Sequence, residues 1–318
     1  MINRLPSFFV IGVQKAGTTT LHDWLTQQPS ICLPKIKETH FFSHNDRYNR
    51  GINWYLKQFP KCKETVIMGE VDPEYIFHEK APLRIRNLIE SPKFICIFRN
   101  PIERAYSHYL WSVRRGQETL SFPEALQEEK NRRAKSDKHY LTYHSYMERA
   151  KYCEQIAKYM QIFPDARFLY IKFDDLFNAE TYKATYARIC EFLELRSKPI
   201  CPDISKKSNQ ASNPRSTRLR NFIYGHSSFK KIIGSFIPSK QLKLRLALFF
   251  DGLNQSPIKN KYEYPRQYIP NDVWEIANHE VLQLEVLTGL DLRDWIDKRG
   301  NFIQKPEGRF CGTTKKTG

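Results

Sequence analysis

Apolar residues in this chain come in two alternating forms, short unbroken runs and longer stretches with apolar positions three and four residues apart. The runs predict buried strands over 8–13, 66–70, 94–99 and 167–173. The spaced stretches predict helices over 20–28, 82–89, 102–115, 122–133, 146–163 and 181–195. Two helix starts carry capping signals: Ser121 with Pro123 and Glu124, and Ser145 with Glu148 three residues later. Strands alternating with helices imply an α/β fold with a parallel sheet between helical layers. In such sheets ligands bind beyond the carboxyl ends of the strands.

The first apolar run stops at Gly12-Val13-Gln14-Lys15-Ala16-Gly17-Thr18-Thr19-Thr20, and a helical pattern follows. A strand–loop–helix junction of this kind aims free backbone N–H groups and a helix dipole at one spot, where an oxyanion is stabilised. The nucleotide P-loop places its Lys directly after the second Gly. Here Thr18 holds that position and the Lys lies inside the loop, at 15, which argues against an ordinary ATP or GTP site.

A second junction follows the third run. Arg99-Asn100-Pro101 ends the strand pattern, and Pro101 suits the first position of a helix, where its missing N–H is no loss. An Arg at the strand end and Ser107, about two turns along the next helix, can converge on one phosphate, with a fork of charged donors and a neutral hydroxyl.

Together these residues resemble sulfotransferases that use 3′-phosphoadenosine 5′-phosphosulfate (PAPS), with motifs most similar to the heparan-type glycan enzymes. The likeness runs from Phe8 to about Leu195 and resumes weakly near 262–295. It implies a P-loop-like three-layer fold, with a central parallel sheet flanked by helices. Lys15, Ala16, Gly17, Thr18, Thr19 and Thr20 would form the 5′-phosphosulfate loop, Lys15 meeting the charge on the leaving phosphate. Arg99, Asn100, Pro101, Arg104 and Ser107 match the 3′-phosphate element R-[ND]-P-x-x-R-x-x-S, with Arg99 and Ser107 as its ligands. The donor needs no metal to bridge its phosphates.

Lys37-Glu38-Thr39-His40-Phe41-Phe42 resembles the K-E-x-x-F-F element of the heparan-type enzymes, whose Glu is the catalytic base. Glu38 is therefore the first candidate base, and His40 is read as orienting the loop. Glu70 is the second candidate, in Gly69-Glu70-Val71-Asp72-Pro73-Glu74-Tyr75, which resembles the family's E-[KA]-S-P-x-Y turn. The chain departs from its relatives at Val71 and Asp72, where they carry Lys and Ser, and at Trp111, where they often carry His. These departures bear on acceptor contacts and leave donor binding untouched. Arg215, Arg218 and Arg220 are candidates to close over the nucleotide, and Tyr264-Pro265 with 284–295 resembles the family's closing helix.

The chain has 318 residues, enough for one sulfotransferase domain over 1–300 with a loose polar tail at 301–318. Its 51 Lys and Arg against 34 Asp and Glu give a net charge of +17, more than one donor nucleotide needs. The segment 205–250 holds ten Lys or Arg and no Asp or Glu, interleaved with Leu, Ile and Phe. It reads equally as a basic lid over the donor and as a surface for peripheral contact with lipid or an anionic acceptor. The expected partners are a small nucleotide donor and a glycan or glycolipid acceptor, with no nucleic acid, because no nucleic-acid module is present. A P-loop nucleoside kinase or NTPase, and a non-catalytic protein binding anionic lipid or nucleic acid, are the competing classes. Seven scattered cysteines without a C-x-x-C pair predict reduced, structural thiols and no zinc site. Arg4 and Pro6 lead straight into the first run, so no signal peptide is read and a cytoplasmic location is expected.

Overall fold

The four apolar runs become four strands of a five-stranded parallel sheet, whose central strands are buried on both faces and have no polar side to alternate with. The computed structural model describes residues 4–62, 66–134, 137–195, 199–204, 212–214, 216, 255–257 and 266–296. The strands are β1 (Phe8–Gly12), β2 (Ile31–Cys32), β3 (Ile67–Val71), β4 (Lys93–Phe98) and β5 (Arg167–Lys172), in spatial order β2-β3-β1-β4-β5. Phe8 pairs with Gly69 on one side and Lys93 on the other. The ends of β3, β1 and β4 therefore lie side by side, and the loop after each opens onto the same edge of the sheet. That adjacency builds the site.

The helices are α1 (Thr18–Thr26), α2 (Asn45–Tyr48), α3 (Ile52–Leu56), α4 (Ala81–Arg86), α5 (Pro101–Arg114), α6 (Phe122–Arg133), α7 (Lys138–Tyr143), α8 (Tyr152–Ile162), α9 (Phe173–Phe177), α10 (Tyr182–Phe192) and, late in the chain, α11 (Asn271–Thr288). A short antiparallel pair joins β6 (Ser212–Pro214) to β7 (Gln255–Pro257), with β6 lying against α5. Phe9 anchors the core beside the site: its ring meets Phe42, Tyr75 and Phe94 at 5.8, 6.4 and 6.2 Å. Burial of Phe41 and Phe42, each no more than 1% exposed, fastens the loop that carries Glu38 to the sheet.

The expected capping box at Ser121 forms: its backbone N–H and hydroxyl both donate to Glu124, at 2.9 and 2.6 Å. The one expected at Ser145 does not. Ser145 donates its hydroxyl to Leu141 O and accepts from Arg149 Nε, while Glu148 pairs with Arg133 and Lys151. A 3₁₀ turn at Glu148–Ala150 therefore precedes α8, which starts at Tyr152. A further correction concerns the thiols: Cys32 and Cys62 are paired as a disulfide, with Cα atoms 6.1 Å apart. Cys96, Cys153, Cys190 and Cys201 are free. Among the described residues no helix is long and apolar enough to cross a membrane. The segments 205–211, 217–254 and 301–318, and with them most of the basic stretch and the whole tail, lie outside the described residues.

Candidate active site

The loop after β1 is held from both sides. Val13 N–H donates to Ile97 O of β4 at 2.9 Å, and Ala16 N–H donates to Val13 O at 3.2 Å. Lys15 and Gly17 both take left-handed backbone conformations, with φ of 73° and 81°. At Gly17 a side chain is excluded twice over, because a Cβ would overlap the Phe177 ring. Gly17 is also the N-cap of α1, and no side chain caps it. The first-turn amides thus offer donors to whatever anion sits beyond them. Ala16, Thr18 and Thr20 are buried, and Lys15, Gly17 and Thr19 are partly exposed.

Lys15 lies among cations. Burial first, then the guanidinium groups of Arg114, Arg99, Arg115 and Arg104, lower its ammonium from 10.5 to about 7. Arg104 is fully buried; it donates to Tyr146 O, and its Nε and Nη1 have no hydrogen-bond partner. Burial lowers it to about 10. Such a crowd of positive charge is unfavourable in isolation and asks for an anion. The residues present therefore fit a polyanionic nucleotide at these strand ends.

Arg99 joins the two strand-end junctions. Its Nη1 donates to Lys15 O at 3.3 Å, and its Nε and Nη2 both donate to Glu103 Oε2, at 3.3 and 3.1 Å. Phe173 lies beneath the guanidinium at 4.8 Å. The Arg99 carbonyl accepts from Tyr152 OH at 2.9 Å, which fixes the strand end. Asn100 caps α5 by accepting from the amides of Ile102 and Glu103, as its place before Pro101 requires. Ser107 is partly exposed and one turn beyond Glu103, so it shares the helix face that Arg99 reaches.

Across β1, the turn after β3 holds the loop of Glu38. Glu70 is fully buried and accepts from Thr39 N, Thr39 Oγ1, Tyr55 OH and Tyr75 OH, at 3.0, 2.5, 2.6 and 3.0 Å. Burial, and then the charge of Asp72, raise Glu70 to about 7, against those hydrogen bonds. Asp72, also buried, accepts from His40 N at 2.8 Å and from Glu74 N at 3.1 Å. Arg47 donates to the carbonyls of Glu38 and Thr39. Glu38 itself is partly exposed, paired with Lys37, and left-handed at φ 61°. The second candidate base is thus enclosed by donors, whereas the first is partly exposed beside Lys37 and His40.

A family model described as the sulfotransferase domain matches residues 5–243. The chain belongs to the sulfotransferase family. It is 42% identical over 114 residues to the human bifunctional heparan sulfate N-deacetylase/N-sulfotransferase 3, a match covering 34% of this chain and 13% of that protein. It is 29% identical over 198 residues to the mouse heparan sulfate glucosamine 3-O-sulfotransferase 6, covering 61% and 53%. The chain thus spans about half the length, or less, of these curated relatives. The solved sulfotransferase of Alicyclobacillus acidocaldarius shares its fold: TM-score 0.60 at 24% identity, over 92% of this chain and 99% of that one.

In this sulfotransferase the sequence motifs meet at one edge of the sheet. Lys15, the 16–20 loop and Arg99 come together; Ser107 lies on the adjoining helix face, and Glu38 and Glu70 belong to the β3 side. Val71 is buried in β3, and Trp111 stacks on Tyr143 at 5.2 Å with Arg115 4.5 Å above it. Arg215, Arg218, Arg220 and Tyr264-Pro265 lie outside the described residues. Three participants escaped sequence reasoning: Glu103 as the partner of Arg99, the approach of Arg114 and Arg115 to Lys15, and the pairing of Asp72 with His40. Only the first had a local signal, the four-residue spacing of Arg99 and Glu103.

Proposed function

We propose that the chain moves a sulfuryl group from PAPS to a hydroxyl, or in the second instance an amine, of a carbohydrate-containing acceptor. The observation that carries this reading is the set of cations around Lys15, placed where an uncapped helix start and the Arg99 strand end adjoin. The donor supplies a charge-delocalised SO3 group on a phosphate leaving group, so the protein's work is to position, to neutralise and to take a proton. Lys15 and the amides of 16–20 would hold the 5′-phosphosulfate, and the Lys15 ammonium answers the charge that grows on the leaving phosphate. Arg99, with Ser107, would hold the 3′-phosphate. Glu38 would take the acceptor's proton. Glu70, enclosed by four hydrogen bonds, keeps the Glu38 loop in place and is assigned no proton transfer. The names of the relatives favour a heparan-sulfate-like glycan as acceptor.

Labelled sulfate transfer tests this reading. The protein is incubated with PAPS carrying sulfur-35 and with heparosan, intact or N-deacetylated. Label on either polysaccharide, lost in Glu38→Gln, is the expected result. Label on neither, with donor binding intact, would remove this acceptor class.

A further inference from the structure

The two buried acids at the end of β3, Glu70 within the strand and Asp72 just after it, act on different targets. Glu70 holds the backbone and hydroxyl of Thr39. Asp72 holds the residue after it. Its Oδ2 accepts the His40 backbone N–H at 2.8 Å, and the ring Nδ1 lies 3.0 Å from Oδ2 and 3.2 Å from Oδ1. A carboxylate only accepts, so Nδ1 carries hydrogen. The other ring nitrogen, Nε2, stands 4.0 Å from Glu38 Oε2. Both Glu38 and His40 are left-handed, at φ 61° and 50°, a conformation that non-glycine residues hold only where surroundings enforce it. Neutral His40 would turn a lone pair toward the Glu38 carboxylate, setting acceptor against acceptor. Charged His40 turns a donor toward it.

Resting on the sulfuryl-transfer reading above, we propose that Asp72 is a positioning residue that acts through His40, holding the imidazole as a cation whose Nε2–H faces Glu38 and keeps that carboxylate ionised and aimed. His40 gives and takes no proton during transfer: Glu38 receives the acceptor's proton, and Lys15 faces the phosphate that leaves. The groups facing the ring are Asp72 and Glu74 from the turn after β3, Glu38 from its own loop, and His44 at the edge of α2, stacked at 4.8 Å. Burial, the largest single influence, lowers His40, but the hydrogen bond and charge of Asp72 together with the charges of Glu38 and Glu74 outweigh it, and the imidazole is raised above 6.5. Asp72 is thus more than a loop support.

Nuclear magnetic resonance titration of the histidine rings in the full chain tests this without an acceptor. The wild-type His40 midpoint should lie above 6.5, and Asp72→Asn should lower it by about one pH unit or more. Glu38→Gln should lower it by less. Binding of 3′-phosphoadenosine 5′-phosphate to the same samples should be unchanged, and Asp72→Ser repeats the measurement if the Asn variant does not fold. In kinetics with heparosan, the alkaline limb of kcat should move down by the same interval in Asp72→Asn while donor KM stays constant. His40→Lys, a lasting cation, should remove that limb. A wild-type midpoint at or below 6.5, or one that Asp72→Asn does not move, overturns the proposal, as does an alkaline limb that stays put while the midpoint shifts. If the midpoints move as expected and no acceptor takes sulfate, the charge pairing stands and the transfer reading falls.

Discussion

The Arg99 guanidinium donates to the Lys15 carbonyl at 3.3 Å across 84 residues of chain, tying the end of β4 to the loop after β1. One residue therefore shapes the loop proposed for the 5′-phosphosulfate while offering charged donors of its own. Arg99→Ala should weaken binding of 3′-phosphoadenosine 5′-phosphate about ten- to a hundredfold, the range for hydrogen bonds to charged groups. Calorimetry reads this directly. Unchanged affinity in a folded variant would remove Arg99 from the donor site.

At the proposed donor site, Lys15 should make binding depend on pH. Without an anion its ammonium is lowered to about 7, whereas the unfolded chain keeps the proton up to 10.5. Ligand-free stability should therefore rise with pH between those values, because there the unfolded state binds the extra proton. An anion beside Lys15 restores its charge, so binding at pH 8 should take up about one proton, with affinity falling as pH rises further. Calorimetry in two buffers of different ionisation heat measures the uptake, and Lys15→Met should abolish it.

Glu38 and Glu70 separate by what their loss affects. Glu38→Gln should cut turnover about 10²–10⁴-fold with donor affinity intact. Glu70→Gln should chiefly cost stability, about 1–3 kcal/mol, by disturbing the donors gathered on a buried carboxylate. The sign with pH also differs. Raised from 4.5 to about 7, Glu70 contributes stability that is complete below 4.5 and lost as pH rises through 7. Thermal unfolding across that window should show a fall in wild type that is flatter in Glu70→Gln.

The Cys32–Cys62 bond closes a stretch of chain, 30 residues in sequence separation, that contains Glu38, His40 and Tyr55. Cys32→Ser with Cys62→Ser should cost about 2–4 kcal/mol of stability and lower turnover more than donor affinity. Equal turnover in the double variant would show that the loop is held without the disulfide, by Glu70, Asp72, Arg47 and the buried rings of Phe41 and Phe42.

Much of the frame was legible in sequence because β1, β3 and β4 are buried almost throughout and read as apolar runs, while the half-buried β5 keeps a central Phe168-Leu169-Tyr170-Ile171 run. β2, with only Ile31 and Cys32, is too short to register, and the five-residue α9 begins within the segment read as the last strand. The two junctions proposed to hold the donor were legible because each is a short local strand–loop–helix stretch. The Asp72–His40 pairing spans 32 residues, and the disulfide 30 without a recognisable motif, so neither leaves a local mark. Ser145 misled because a Ser three residues before a Glu satisfies the capping pattern even when both side chains serve tertiary partners.

The proposed donor site for an adenosine bisphosphate is built from Lys15, the 16–20 loop, Arg99 and Ser107. Thermal unfolding in EDTA, with 3′-phosphoadenosine 5′-phosphate compared against ATP, tests it most directly. At a hundred times its dissociation constant a ligand stabilises by about 2.7 kcal/mol, a readily visible shift. That shift is expected for the bisphosphate in EDTA, and its loss in Arg99→Ala. Stabilisation by ATP alone, and only once magnesium is restored, would contradict it.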